Sequence, residues 1–67
     1  MPLVQVNGQP KELPEGATVQ DLLKLLAAAH RPVAVEVNLE LVPRAQHHER
    51  RLQDGDRVEV VGLAGGG

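Results

Sequence analysis

The residues best placed to do chemistry lie at one end of the chain. It closes as Gly62-Leu63-Ala64-Gly65-Gly66-Gly67, with side chains dwindling to nothing before the terminal carboxylate. Such a tail suits a carboxylate that is itself the reacting group. Glycine lacks Cβ, so Gly65, Gly66 and Gly67 can approach a partner's backbone closely and adopt φ values closed to other residues. Extended, Gly62 to Gly67 reaches on the order of 20 Å at roughly 3.3–3.6 Å per residue. That would carry a terminus into a recessed site while a folded body docks outside. The same composition also describes an ordinary frayed end, and the tail alone does not choose between the two.

The rest of the chain offers little other reactive chemistry. The 67 residues contain no cysteine, no serine, one threonine and no aromatic residue. Nucleophiles for covalent catalysis are therefore nearly absent, and an enzyme is not expected. His47, His48 and Glu49 invite a metal reading, but a structural site needs about four well-placed ligands. Only His30 remains elsewhere, at an expected helix end where an imidazolium is electrostatically favoured. Solvated histidines and no metal are expected. A net charge of −2 and the lack of any aromatic platform argue against a nucleic-acid partner. The longest apolar run, Leu25 to Ala29, is far too short to span a bilayer. The opening MPLVQVNGQP has no basic region, and Gln5 and Asn7 interrupt its apolar residues. A soluble cytoplasmic chain with no membrane partner is expected.

The elements that must position the tail read as one small α+β domain. Leu3 to Asn7 alternates, with Val4 and Val6 on one face, and predicts a half-buried strand. Asn7-Gly8 is the strongest short hairpin signal, because both residues tolerate positive φ. Gln9 to Leu13 returns as a strand that Pro10 confines to a sheet edge. After a turn at Pro14-Glu15-Gly16, Thr18 is a candidate N-cap with Asp21 in the capping-box position. Val19, Leu22, Leu23 and Leu26 form one apolar helix face, broadened by Leu25 and Ala27 to Ala29. Pro32 is expected to stop the helix. Val33, Val35 and Val37 alternate as a third strand, Leu39 to Val42 make a short fourth, and Pro43 to Arg51 read as a polar surface crossover. Asp54-Gly55-Asp56 is a turn before a last strand, Arg57 to Val61.

Together these segments resemble the ThiS-type sulfur carriers of thiamine biosynthesis. The opening VQVNGQP, the helix TVQDLLKLL, the stretch VAVEVNLELVPRAQHHERRLQDGDRVEVV and the terminal glycines follow that family's order over essentially the whole chain. The resemblance implies a ubiquitin-like β-grasp fold: a mixed four- to five-stranded sheet, first and last strands parallel and central, with one helix across one face. It implies a β-grasp domain over residues 1–62 and a flexible glycine tail over 63–67, expected to be disordered beyond Ala64. It also implies the chemistry. A ubiquitin-activating-type enzyme, using ATP and Mg, adenylates the Gly67 carboxylate. A persulfide donor of cysteine desulfurase or rhodanese type converts it to a thiocarboxylate, and thiazole synthase draws sulfur from it. Gly65, Gly66 and Gly67 would thread into the partners' sites, and the carrier itself would bind no cofactor.

Docking candidates are Val61, read as outward-facing beside the tail, Leu63, and Arg44 of the VPR segment; for Val61 and Leu63 the alternative reading is that they simply cover the sheet edge. Arg50, Arg51 and Arg57 accompany Arg44 in a sparse basic group opposed by Glu40, Glu49, Asp54 and Asp56, which also reads as an ordinary solvated surface. Two alternatives stay open. A molybdopterin-synthase small subunit would share the tail chemistry but often carries proline before its glycine pair, absent here, and a tRNA-thiolation carrier is a variant of the same kind. A ubiquitin-like binding module would lack tail chemistry altogether.

Overall fold

A computed structural model describes residues 1–63, and Ala64 to Gly67 lie outside the described residues. Five strands, β1 (Leu3–Val6), β2 (Gln9–Glu12), β3 (Val33–Val37), β4 (Glu40–Val42) and β5 (Arg57–Gly62), form one sheet in the order β2-β1-β5-β3-β4. A single helix, α1 (Val19–Leu25), follows the first hairpin. β1 runs parallel to β5, and the other pairings are antiparallel. This is the mixed sheet with one helix expected of a β-grasp. Pro10 lies on the edge strand β2, where its missing N–H removes nothing from the ladder.

Alternation puts one row of valines inward. Val4, Val6, Val35, Val37, Val42 and Val58 pack with Val19, Leu22 and Leu23 of α1 in a single core that also takes in Leu13 and Leu52. With no aromatic residue available, β-branched side chains fill the volume, and their stiff rotamers suit a pleated surface.

The N-terminus of α1 is fully capped. Thr18 Oγ1 accepts from the Asp21 N–H at 3.2 Å, while Asp21 Oδ2 accepts from the Thr18 N–H at 3.0 Å. Those bonds form the expected capping box, and the Thr18 N–H first of all holds the Asp21 carboxyl below its ordinary value. The remaining free N–H groups donate to the crossover: Val19 to the Arg50 carbonyl and Gln20 to the His47 carbonyl, each at 2.9 Å.

The crossover is therefore not the loose surface segment the sequence suggested. It contains a 3-10 turn at Arg44–Gln46 and buries His47, whose Nε2 lies 3.0 Å from the Val42 carbonyl. A carbonyl only accepts, so that nitrogen carries the proton. His47 is thus a structural donor rather than a solvated histidine, while His48 is exposed.

The helix also ends sooner than expected. Leu26 is its C-cap, well before Pro32, and Ala27 takes a left-handed φ of 56°. The Ala28 N–H donates to Leu23 at 2.8 Å and the Ala27 N–H to Lys24 at 3.1 Å, the paired bonds of a Schellman ending. Ala27 consequently faces solvent, and Leu25, still inside α1, is exposed on the side of the helix away from the core, whereas Ala28 is buried and Ala29 half-buried against it. Among the described residues, no helix is long and apolar enough to cross a membrane.

Candidate functional site

The tail leaves from the sheet's central strand, so the contacts of β5 fix its starting point. Entry into β5 is set by the Asp54-Gly55-Asp56 turn. Asp54 Oδ1 accepts from the Leu3 N–H at 2.8 Å, the Gly55 N–H donates to the Leu3 carbonyl at 2.9 Å, and Asp56 Oδ2 accepts from the Gln53 N–H at 2.7 Å. Gly55 sits at φ +89°, which explains glycine between the two aspartates.

Two asparagines hold the flanks of β5. β1 accompanies β5 only through Gln5–Arg57 and Val6–Val58 before turning away at Asn7. There the Asn7 side-chain amide takes the place of the missing strand: Oδ1 accepts from the Val60 N–H at 2.8 Å and Nδ2 donates to the Val60 carbonyl at 3.2 Å. On the other flank, Asn38 Oδ1 accepts from the Arg57 N–H at 2.9 Å and its Nδ2 donates to Asp56 Oδ1 at 3.0 Å. Beside β3 the ladder runs to Val33–Gly62, and the Leu63 N–H donates to the Pro32 carbonyl at 2.8 Å. The last strand is one residue longer than expected, and Leu63, assigned to the tail from sequence, is bonded to the body.

The expected docking residues cluster at this end. Val58 is buried and Val60 half-buried on the helix side, so Val61 points to the opposite, outer face, beside Ala34, and is 54% exposed. Leu63 is 53% exposed. It lines a shallow groove with Pro32, Ala34, Leu41, Pro43 and Arg44, which brings Leu63 and Arg44 onto one surface next to Val61. Arg50, Arg51 and Arg57 do not line that groove. Gly65, Gly66 and Gly67 lie outside the described residues. Sequence reasoning missed Leu41, which is 65% exposed and faces outward opposite Glu36. The signal was its odd-even phase relative to the buried Val42.

Chemically, this arrangement offers a binding surface. Among the described residues, no group of three histidine, aspartate or glutamate side chains could hold a metal ion. The groove presents apolar side chains and Arg44 beside the last described residue, Leu63, which suits recognition of a partner protein.

Comparison with known proteins gives this surface a family. The sequence matches the ThiS family over residues 4–67. It is 40% identical to a sulfur carrier protein ThiS of Thermus thermophilus over 65 residues, covering 97% of this chain and 100% of that protein. It is also 40% identical, over 62 residues, to a thiazole synthase of Paramagnetospirillum magneticum; the match covers 92% of this chain but spans only 19% of that longer protein. A solved structure of a thiamine biosynthesis protein (ThiS) from Geobacter metallireducens superposes with a TM-score of 0.81 at 35% identity, covering 97% of this chain and 99% of that one. In sequence over nearly its full length, and in fold, this chain belongs to the ThiS family.

Proposed function

We propose that this chain is a sulfur carrier of thiamine biosynthesis and a substrate, not an enzyme, in each step. The observation that carries the reading is that the family match runs through residue 67, so the glycine tail belongs to the matched pattern and is no appendage to it. A carboxylate is a poor electrophile, so the Gly67 carboxylate is first activated. A ubiquitin-activating-type enzyme, with its own ATP and Mg, forms the acyl-adenylate and releases pyrophosphate. Persulfide sulfur from a cysteine desulfurase- or rhodanese-type donor then displaces AMP to give an acyl disulfide, and a second thiolate attacking the donor-side sulfur releases the thiocarboxylate and is left in a disulfide with the donor. Thiazole synthase accepts that sulfur. The match within a thiazole synthase favours this acceptor over molybdopterin or tRNA thiolation. In this reading the carrier acts in the cytoplasm, where ATP is supplied to its activating partner.

The body's part is docking. Val61, Leu63 and Arg44 hold a partner at the tail's root, which raises the effective concentration of the terminus at the partner's active site. That offsets the entropy lost when Gly65, Gly66 and Gly67 are ordered there.

Intact mass after incubation with the activating enzyme, ATP and a persulfide donor tests the reading. Replacement of one oxygen by sulfur, mapped to the peptide ending in Gly67, is the expected result. A chain extended by one residue after Gly67 should remain unmodified. An unchanged mass in the natural chain would leave a ubiquitin-like binding module instead.

A further inference from the structure

Two features among the described residues cost local stability, one at a hairpin tip and one on the outer face of the sheet. The first is Leu39. Both hairpins turn through two residues at positive φ, but the first uses Asn7 and Gly8 (50° and 84°) and the second uses Asn38 and Leu39 (52° and 69°). A branched side chain in the left-handed region is strained, and such turns strongly prefer glycine there. Leu39 is also 86% exposed, more than any other large apolar side chain among the described residues. The second cost is Glu36 and Glu59, directly opposite each other on β3 and β5 and both exposed. Like charges in that relation destabilise a sheet.

These features lie along one hairpin. Leu41 is opposite Glu36 in the β3–β4 ladder, so the carboxylates adjoin an exposed leucine on the outer face. Leu39 is at the β3–β4 hairpin tip, and the tail root is at the other end of β3, where Val33 pairs with Gly62. Leu39 and the tail root are thus apolar at opposite ends of β3, and between them on the outer face lie the two carboxylates, with Arg57 next along β5. Local strain at an exposed apolar residue points to a role outside the fold.

We propose that Leu39 is a docking anchor that enters an apolar pocket, rimmed by basic side chains, on thiazole synthase. The inference rests on the carrier reading given above and names the contact that the synthase makes beyond the tail root. The occupant follows from two observations. A thiazole synthase exists with a segment 40% identical to this chain inside its own polypeptide, so carrier-like and synthase parts occur joined. The two carboxylates beside Leu41 outnumber the one cation next to them on that face, Arg57, so cations on whatever covers them are favoured, and a basic rim around an apolar centre has the anatomy of a specific interface.

The test uses the full chain and purified thiazole synthase, with Leu39→Gly and Leu39→Asn as variants. Both residues accept left-handed φ, so both variants fold and should unfold at a higher temperature than the natural chain. Calorimetric titration should show affinity for the synthase weakened by about tenfold or more. Association of the natural chain should slow as salt is raised, as expected for opposed charges. Stabilised variants that bind as tightly as the natural chain would overturn the anchor and leave the carrier reading standing. A natural chain that never binds the synthase would instead remove the synthase step of that reading, and the anchor with it. Sedimentation showing a dimer lost in Leu39→Asn would make a second copy the occupant. A loss confined to adenylation would make it the activating enzyme. Either of these overturns the assignment.

Discussion

Ala27 shows how one residue can decide where an element stops. It takes the left-handed position after the Leu26 C-cap, where glycine is the usual choice, at φ 56°. An L-residue pays roughly 1–2 kcal/mol for that conformation, and glycine returns part of the gain as extra entropy in the unfolded chain. Ala27→Gly should therefore stabilise the protein by about 0.5–1 kcal/mol, read as a raised urea midpoint at unchanged slope. A lower midpoint would mean that the helix continues past Leu26 in solution. The same feature explains what the sequence hid. Thr18 and Asp21 announced the helix start because their side chains make the cap, whereas Ala27 carries no mark of a stop, and Pro32 drew the expected end too far along. Leu39 hid its turn in the same way: leucine reads as strand, and only the geometry between Val37 and Glu40 puts it at the tip.

At the scale of elements, α1 and the crossover stabilise each other. The seven-residue helix is too short to persist by propensity alone, so capping and packing maintain it. Asp21 provides a pH handle on that cap. Its carboxyl is held below 3.8 in the fold, chiefly by the Thr18 N–H, so the ionised form is the stabilising one. The contribution is present above the unfolded value and is lost as pH falls through the lower folded one. Urea midpoints of the natural chain and Asp21→Asn should differ at neutral pH and converge in acid below 3.8. A gap that persists or widens in acid would show that the charge is not what the cap uses. The crossover was less legible than the helix start. Pro43 to Arg51 is polar along its length, and nothing local reveals that His47 is turned inward to the Val42 carbonyl while its own backbone caps α1. The strands, by contrast, were readable because alternation is a local signal, and the parallel β1–β5 pairing was supplied by resemblance, since no periodicity specifies which strands meet.

Over the whole molecule, the fold fixes the point from which the chain leaves the sheet. β5 is central, ladder-bonded to β3, tied at Val60 to the Asn7 amide, and held at its last described residue by the bond from Leu63 to Pro32. The span beyond the body is therefore counted from Leu63 rather than Gly62, and four residues extend over at most about 14 Å. In the proposed carrier role, that length is matched to the depth of the activating enzyme's site below the Val61–Leu63–Arg44 surface. Shortening and lengthening should then be unequal. Deleting Ala64 withdraws the carboxylate by about 3.5 Å, and misplacement on that scale should slow adenylation by about 10²-fold or more. Inserting one glycine before Ala64 leaves the terminus able to arrive and only dilutes it slightly, so the loss should stay below about tenfold. Both variants leave the core intact and should keep the natural unfolding midpoint. Adenylation rates for the pair decide the point. Small and equal losses would mean that the enzyme recovers length by parting Leu63 from Pro32, and that the strand's end, not the tail alone, gives way on binding.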